Sequence, residues 1–228
     1  MTWIWSNLDF IWDRTLDHVV LSVPPIILSF LLAVPLGWLA YRFRVGRGII
    51  LSSVGLLYAV PSLPLFIVLP FIVGTTVRSP LNLIIALTLY GVALMVRVVA
   101  DGLASVDRNV RQSAMAVGFS EWTQFWRVEF PLAGPVLLAG LRVVAVSTVS
   151  LATVGAVIGA QSLGSLFTDG FQRGIQAEII AGIIATVGLA LALDGALVLL
   201  GRLLMPWTRS APSTAVRAPM RSDKEAVA

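Results

Sequence analysis

The chain has 228 residues, of which 57% are hydrophobic and only 12% charged. That balance, with a mean hydropathy of +0.91, excludes an ordinary soluble domain and points to a polytopic membrane protein. There is no cysteine, so a disulfide framework, a thiolate metal site and thiol catalysis are excluded. The net charge is +4, but the basic residues are spread over loops and tail, so a membrane orientation rather than a nucleic-acid partner is expected.

Residues 1–18 carry Trp3, Trp5 and Trp12 among Asp9, Asp13 and Asp17 and lack the basic start of a signal peptide. At helical spacing Ile4, Leu8, Ile11, Trp12 and Val19 share one side, and Trp favours the membrane–water boundary. An interfacial helix is the expectation, with His18 as no more than an interfacial polar residue. Apolar runs follow over 19–41, 49–73, 81–99, 132–158 and 179–204. Each has roughly the 20 residues a helix needs to cross a bilayer. Continuous apolar runs exclude the alternating pattern of a barrel. The predicted fold is therefore all-α, a polytopic bundle of about five transmembrane helices over 19–205.

Prolines at 24, 25, 35, 61, 64 and 70 are expected to kink helices or open their backbone. Gly182, Ala185 and Gly188 are small enough for close helix contact. Two ionisable residues lie deep in the runs. Asp194 is about 15 Å of helix from Leu204, and Arg142 about 12–15 Å inside the fourth run, at the standard rise. Equal depth predicts an ion pair acting as a structural clamp, with Arg97 as the other candidate partner.

Arginine placement predicts orientation. Arg42, Arg44, Arg47, Arg97, Arg108, Arg111, Arg127 and the tail arginines fall on one side of an odd number of spans, against Arg14, Arg78 and Arg173 on the other. The positive-inside rule puts the N-terminus outside, and the long loop 100–131 and the C-terminus in the cytoplasm. The tail, 206–228, is Ala/Pro/Ser-rich and is expected to be disordered.

The loop is amphipathic and charged, which calls for a soluble partner. Asp107 can cap a short helix from Arg108, whose small side chains at 112–117 suit insertion into a groove. Gly118 lets the chain turn or approach a partner closely. Ser120 can cap a second helix over 121–128 with Trp122, Phe125, Trp126 and Val128 on an apolar side, and Pro131 starts the next span.

Gln112-Ser113-Ala114, then Gly118, then Val128-Glu129-Phe130-Pro131 resembles the signature loop of bacterial ABC-importer permeases, with Gln112 and Ser113 in place of the usual Glu and first Ala. The run Val60-Pro61-Ser62-Leu63-Pro64-Leu65-Phe66 is similar to one in glycine betaine/choline/carnitine permeases. So is Ile158-Gly159-Ala160-Gln161-Ser162-Leu163-Gly164, where Gln161 and Ser162 replace glycines. The resemblance implies a methionine-permease-like core and a non-enzymatic transport subunit of the bacterial inner membrane. It implies Gln112, Ser113, Ala114, Gly118, Val128, Phe130 and Pro131 as the docking loop, and Pro61, Ser62, Pro64, Gln161 and Ser162 as pathway or gate residues. The implied partners are a cytoplasmic ATPase dimer carrying ATP and Mg, a second permease chain, identical or related, and an extracytoplasmic binding protein. No cofactor or metal is implied on this chain. With only Tyr41, Tyr58 and Tyr90 and no Tyr/Trp cluster in the spans, an aromatic cage for a quaternary ammonium is expected on the binding protein. A methionine or other amino-acid importer permease remains an alternative. A self-sufficient carrier would be expected to show an internal repeat, and none is visible.

Overall fold

The computed structural model describes residues 2–210; the expected disordered tail lies mostly outside them. The fold is built from helices: α1 (Thr2–Ser6), α2 (Leu8–Arg42), α3 (Arg44–Ala59), α4 (Ser62–Val73), α5 (Pro80–Ala104), α6 (Arg108–Ala116), α7 (Glu121–Gln124), α8 (Phe130–Val154), α9 (Gly164–Arg173) and α10 (Gln176–Leu204). Among the described residues, helices α2, α5 and α10 and the run Glu121–Ile158 are the four long and apolar enough to cross a membrane. The second expected span is different. It is a pair, Gly46–Ala59 and Ser62–Val73, bent by 106°, and counting it as one broken span gives five.

The expected boundary at residue 18 is not a break. Helix α2 runs through it, and Pro24, Pro25 and Pro35 lie inside the same helix. Burial explains this. Pro25 and its neighbours Leu21, Ser22, Ile26 and Ser29 face the bundle, where packing against α5 holds the helix together.

Helix α5 is the centre of the fold and the most buried of the four long spans. It starts at Pro80, where a missing N–H costs nothing. Its crossing with α2 is close because both helices offer glycines: a Cβ on Gly37 would lie 2.5 Å from Val99 Cβ, and one on Gly91 would lie 2.6 Å from Ser29 Cβ. One apolar cluster gathers Met95, Val96, Val99, Leu103 and Phe125 toward the long loop. A second gathers Phe66, Leu83, Leu87, Tyr90 and Ala160 toward the other end. The small-residue stripe of α10 divides. Gly182 packs on Phe167 and Leu166, whereas Gly188 has nothing within 4 Å of its Cβ position.

The prolines of the bent pair leave a specific trace. In a helix, each N–H bonds the carbonyl four residues back. Pro70 has no N–H, so the carbonyl of Phe66, inside α4, loses its partner, while the carbonyl of Val60 lies in extended backbone at the break before α4. Helix α5 supplies a donor to each. Tyr90 Oη donates to the Val60 carbonyl at 2.5 Å, and Asn82 Nδ2 donates to the Phe66 carbonyl at 2.9 Å. In a bilayer no water is available for that task. The elbow at Pro61 is thus held to α5 by two hydrogen bonds, one to the carbonyl that Pro70 frees and one to a carbonyl at the break itself.

Candidate functional site

The docking signature occupies two different settings. Its first half lies on α6, a helix with no buried residue. Asp107 caps it by accepting from the Asn109 N–H at 2.6 Å. Its far end is closed by Gly118, whose φ of 91° is in the left-handed region. There Gly118 N–H bonds Met115 O at 2.9 Å and Phe119 N–H bonds Ala114 O at 3.1 Å, the paired closure that favours glycine after a helix. Of the two roles foreseen for Gly118, the structure displays the turn. Gln112 and Ser113 are exposed and Ala114 half-buried.

The second half is a footing rather than a surface. The expected helix over 121–128 is shorter: α7 ends at Gln124 and a π-helical turn covers Phe125–Glu129. Ser120 does cap α7, accepting from Thr123 N–H at 3.3 Å. The apolar side of this segment also divides, with Phe125 buried and Trp122 and Trp126 exposed. Phe130 stacks near Phe125 and Trp126, at 5.8 and 5.4 Å between ring centroids. Pro131 occupies the first turn of α8, and Val128 is half-buried.

Between the two halves lies a cleft of about 650 Å³. From α6 it is lined by Arg108, Arg111, Gln112 and Met115, the spacing of one helical face. Across it stand Tyr41 of α2 and Glu129. Arg111 donates to the Tyr41 hydroxyl, and its guanidinium carbon sits 5.7 Å from the Tyr41 ring centre. The Glu129 carboxylate accepts from Gln124 Nε2 at 3.0 Å. Glu129 and Gln124 are both buried. At the rim, Arg42 pairs with Glu121. The signature spacing did not reveal Tyr41; its place at the end of a span, beside an arginine-rich loop, is the only sequence signal.

The residues expected to line or gate a pathway fall into two groups. Pro61 and Pro64 form the elbow, and Ser62 opens α4. Gln161 and Ser162 lie on the turn between α8 and α9. Gln161 accepts from Arg14, and buried Ser162 accepts from Gly164 N–H at 3.1 Å. Among the described residues no hydrogen bond joins the two groups, although α4 packs against the segment Gly155–Ile158. His18 needs correction: it is buried, not interfacial. Its Nδ1 accepts from Leu163 N–H at 3.3 Å and its Nε2 faces the Val149 carbonyl at 3.1 Å, so a neutral ring with the proton on Nε2 satisfies both contacts. Arg14 and His18, one helical turn apart, therefore hold the turn at two points. The tyrosines are less scattered than the sequence suggested, since Tyr58 and Tyr90 meet edge-to-face at 6.0 Å.

Within the spans, Arg142 and Asp194 form a two-bond pair, Nε to Oδ1 at 2.6 Å and Nη2 to Oδ2 at 2.7 Å. It ties α8 to α10, and Arg97 takes no part. Asp194→Asn is expected to lower the amount of folded protein in the membrane. The swap Arg142→Asp with Asp194→Arg should recover part of it, as read by fluorescence-detected gel filtration. A swap as poor as the single variant would show that the pair is not what holds these helices together. Among the described residues no His, Asp and Glu side chains gather closely enough to hold a metal ion.

An all-helical bundle with a broken second span and an exposed helix projecting between α5 and α8 is an importer-permease fold. An inward-facing structure of the MetNI methionine ABC transporter superposes with a TM-score of 0.77 at 20% identity, covering 87% of this chain and 98% of that one. Residues 26–210 match the binding-protein-dependent transport system inner membrane component, and the chain belongs to that family. It is 31% identical over 193 residues to the choline transport system permease protein OpuBB of Bacillus subtilis, covering 85% of this chain and 88% of the relative. It is 33% identical over 186 residues to the carnitine transport permease protein OpuCB of Listeria monocytogenes, covering 81% and 83%. This is an inner-membrane permease component of an ABC importer.

Proposed function

We propose that the chain is the permease of an osmoprotectant importer for small quaternary ammonium solutes of the glycine betaine, choline and carnitine type. The observation that carries the coupling part is α6, a capped helix with no buried residue, held out from the bundle between two spans. The solute class is supported by the names of the relatives. On this reading α6 docks on a separate ATPase dimer in the cytoplasm, which binds ATP and Mg. The chain itself binds no cofactor and hydrolyses nothing, because its sequence has no glycine loop ending in Gly-Lys-Ser/Thr that would cradle phosphates. An extracytoplasmic binding protein delivers the solute to a pathway shared with a second permease chain. The N-terminus is outside and the C-terminus inside. The elbow at Pro61 and the turn at Gln161 and Ser162 line or gate that pathway.

The test is reconstitution with candidate ATPases and binding proteins in liposomes, measuring ATP-dependent uptake of labelled glycine betaine, choline and methionine. Uptake of the first two that needs every component supports the proposal, and methionine uptake alone would replace the solute class. Gly118→Val should reduce ATPase association and uptake together. Nothing lies within 4 Å of its Cβ position, so the strain is in the backbone, about 1–2 kcal/mol or more for a branched residue with positive φ.

A further inference from the structure

The break in the second span carries a pair of tyrosines. Tyr90 lies ten residues into α5. At the standard rise that is about 15 Å from Pro80, near the middle of a hydrocarbon core roughly 30 Å thick. Tyr90 is buried, and its hydroxyl donates to the Val60 carbonyl at 2.5 Å, so its ring is fixed at the break. Tyr58, at the end of α3, meets it edge-to-face, with ring centroids 6.0 Å apart and planes at 83°. Unlike its partner, Tyr58 is 47% exposed. Tyrosine favours the membrane–water boundary, where its hydroxyl finds a polar neighbour. A half-exposed tyrosine at mid-depth therefore points to a water-filled path rather than to lipid.

The space beside Tyr58 is open. Ser52, Gly55 and Ala59 are exposed and follow one another along α3 at helical spacing. Nothing lies within 4 Å of the Gly55 Cβ position. The backbone is extended at Val60 and Pro61, so α3 ends beside Tyr58. The C-terminal end of a helix carries about half a negative charge.

We propose that Tyr58 is a transit contact for the quaternary ammonium head of the solute, held in position by Tyr90 and set at the negative end of α3. This rests on the proposed solute class and on the proposed pathway at the Pro61 elbow. A trimethylammonium group has no N–H and cannot donate an ordinary hydrogen bond. Aromatic rings and negative dipoles are the neutral groups that attract it. Transporters with broken helices present carbonyl ends of this kind near the midplane. A single ring holds a cation weakly, and that suits passage, which needs a site favourable enough to enter and weak enough to leave. Tyr90 is a positioning residue: it is buried, it supports the Tyr58 ring, and its hydroxyl fixes the break.

The test uses the full complex that reconstitutes uptake, with its binding protein at saturating concentration, and reads the initial rate of labelled choline uptake. Tyr58→Phe and Tyr58→Trp keep an aromatic ring and should keep the rate. Tyr58→Leu should lower it about tenfold. A second series places phenylalanine with one, two or three ring fluorines at position 58. Fluorine drains the negative face of the ring while leaving its shape nearly unchanged, so the rate should fall step by step with each fluorine. A purely structural ring gives no such gradient among variants that assemble with the ATPase and melt near the wild-type temperature. If Tyr58→Leu does not fold, the fluorine series decides alone. Equal rates across that series overturn the inference and leave the permease proposal standing, as does a folded Tyr58→Leu that transports like the wild type. A wild-type complex that takes up methionine but no choline removes the solute class and the inference with it.

Discussion

Gly164→Ala is expected to prevent folding of the α8–α9 corner and to abolish uptake. A methyl group there would lie 2.1 Å from the Thr153 carbonyl oxygen and 2.8 Å from the Thr153 Cα and carbonyl carbon. Those atoms are backbone, so no rotamer change relieves the clash. The first turn of α9 must move away from the end of α8, disturbing the Ser162 cap and the bond from Leu163 to His18. Overpacking of a tight site costs about 1–3 kcal/mol, and more where backbone must shift. Here the upper end, about 3 kcal/mol, is expected, and that is a large share of a domain's stability. Thermal unfolding in detergent and the yield of monodisperse protein measure it directly. Gly188→Ala is the control, since its Cβ position has nothing within 4 Å and alanine favours a helix by about 1 kcal/mol. A Gly164→Ala protein that melts and transports like the wild type would mean the two backbones do not touch as described.

That contact also shows what the sequence conceals. The apolar runs announce the four long helices, because length and composition are local properties that a bilayer enforces. The cap at Asp107 and the turn at Gly118 are legible for the same reason: both concern a few adjacent residues. Contacts between distant residues leave no such mark. His18 looks like an isolated interfacial histidine until α2, α8 and the turn before α9 meet around it. The split of the docking signature is hidden too. Spacing alone groups Gln112 with Pro131, but folding exposes one and sets the other in the foot of a span. The π turn has no composition of its own. Phe125–Glu129 reads as amphipathic helix, and its extra residue per turn is seen only in the fold, where Phe125, Trp126 and Phe130 pack together and Glu129 is buried. Equal depth of Asp194 and Arg142, by contrast, could be counted along the chain, because a span fixes the distance of each residue from its end.

Asn82→Leu is the second large effect, and its size depends on a residue twelve positions away. Asn82 is fully buried and nearly the shape of leucine. The substitution leaves the fold's volume almost unchanged while removing the donor to the Phe66 carbonyl at 2.9 Å and the weaker one to Val77 at 3.3 Å. An unsatisfied buried carbonyl costs about 1–3 kcal/mol. Asn82 Oδ1 itself has no partner, so its removal offsets part of that loss, and about 2 kcal/mol of destabilisation is expected. The elbow helix α4 should loosen from α5, seen as faster proteolysis near Thr75 and a lower melting temperature. The cause can be isolated, because the Phe66 carbonyl needs Asn82 only while position 70 is proline. Pro70→Ala returns an N–H to the helix and gives Phe66 its ordinary partner. In that background Asn82→Leu should cost roughly 1 kcal/mol less than in the wild type, a coupling that a double-mutant cycle resolves. Strict additivity of the two substitutions would show that Asn82 is held in place by packing and that the proline-freed carbonyl is satisfied some other way.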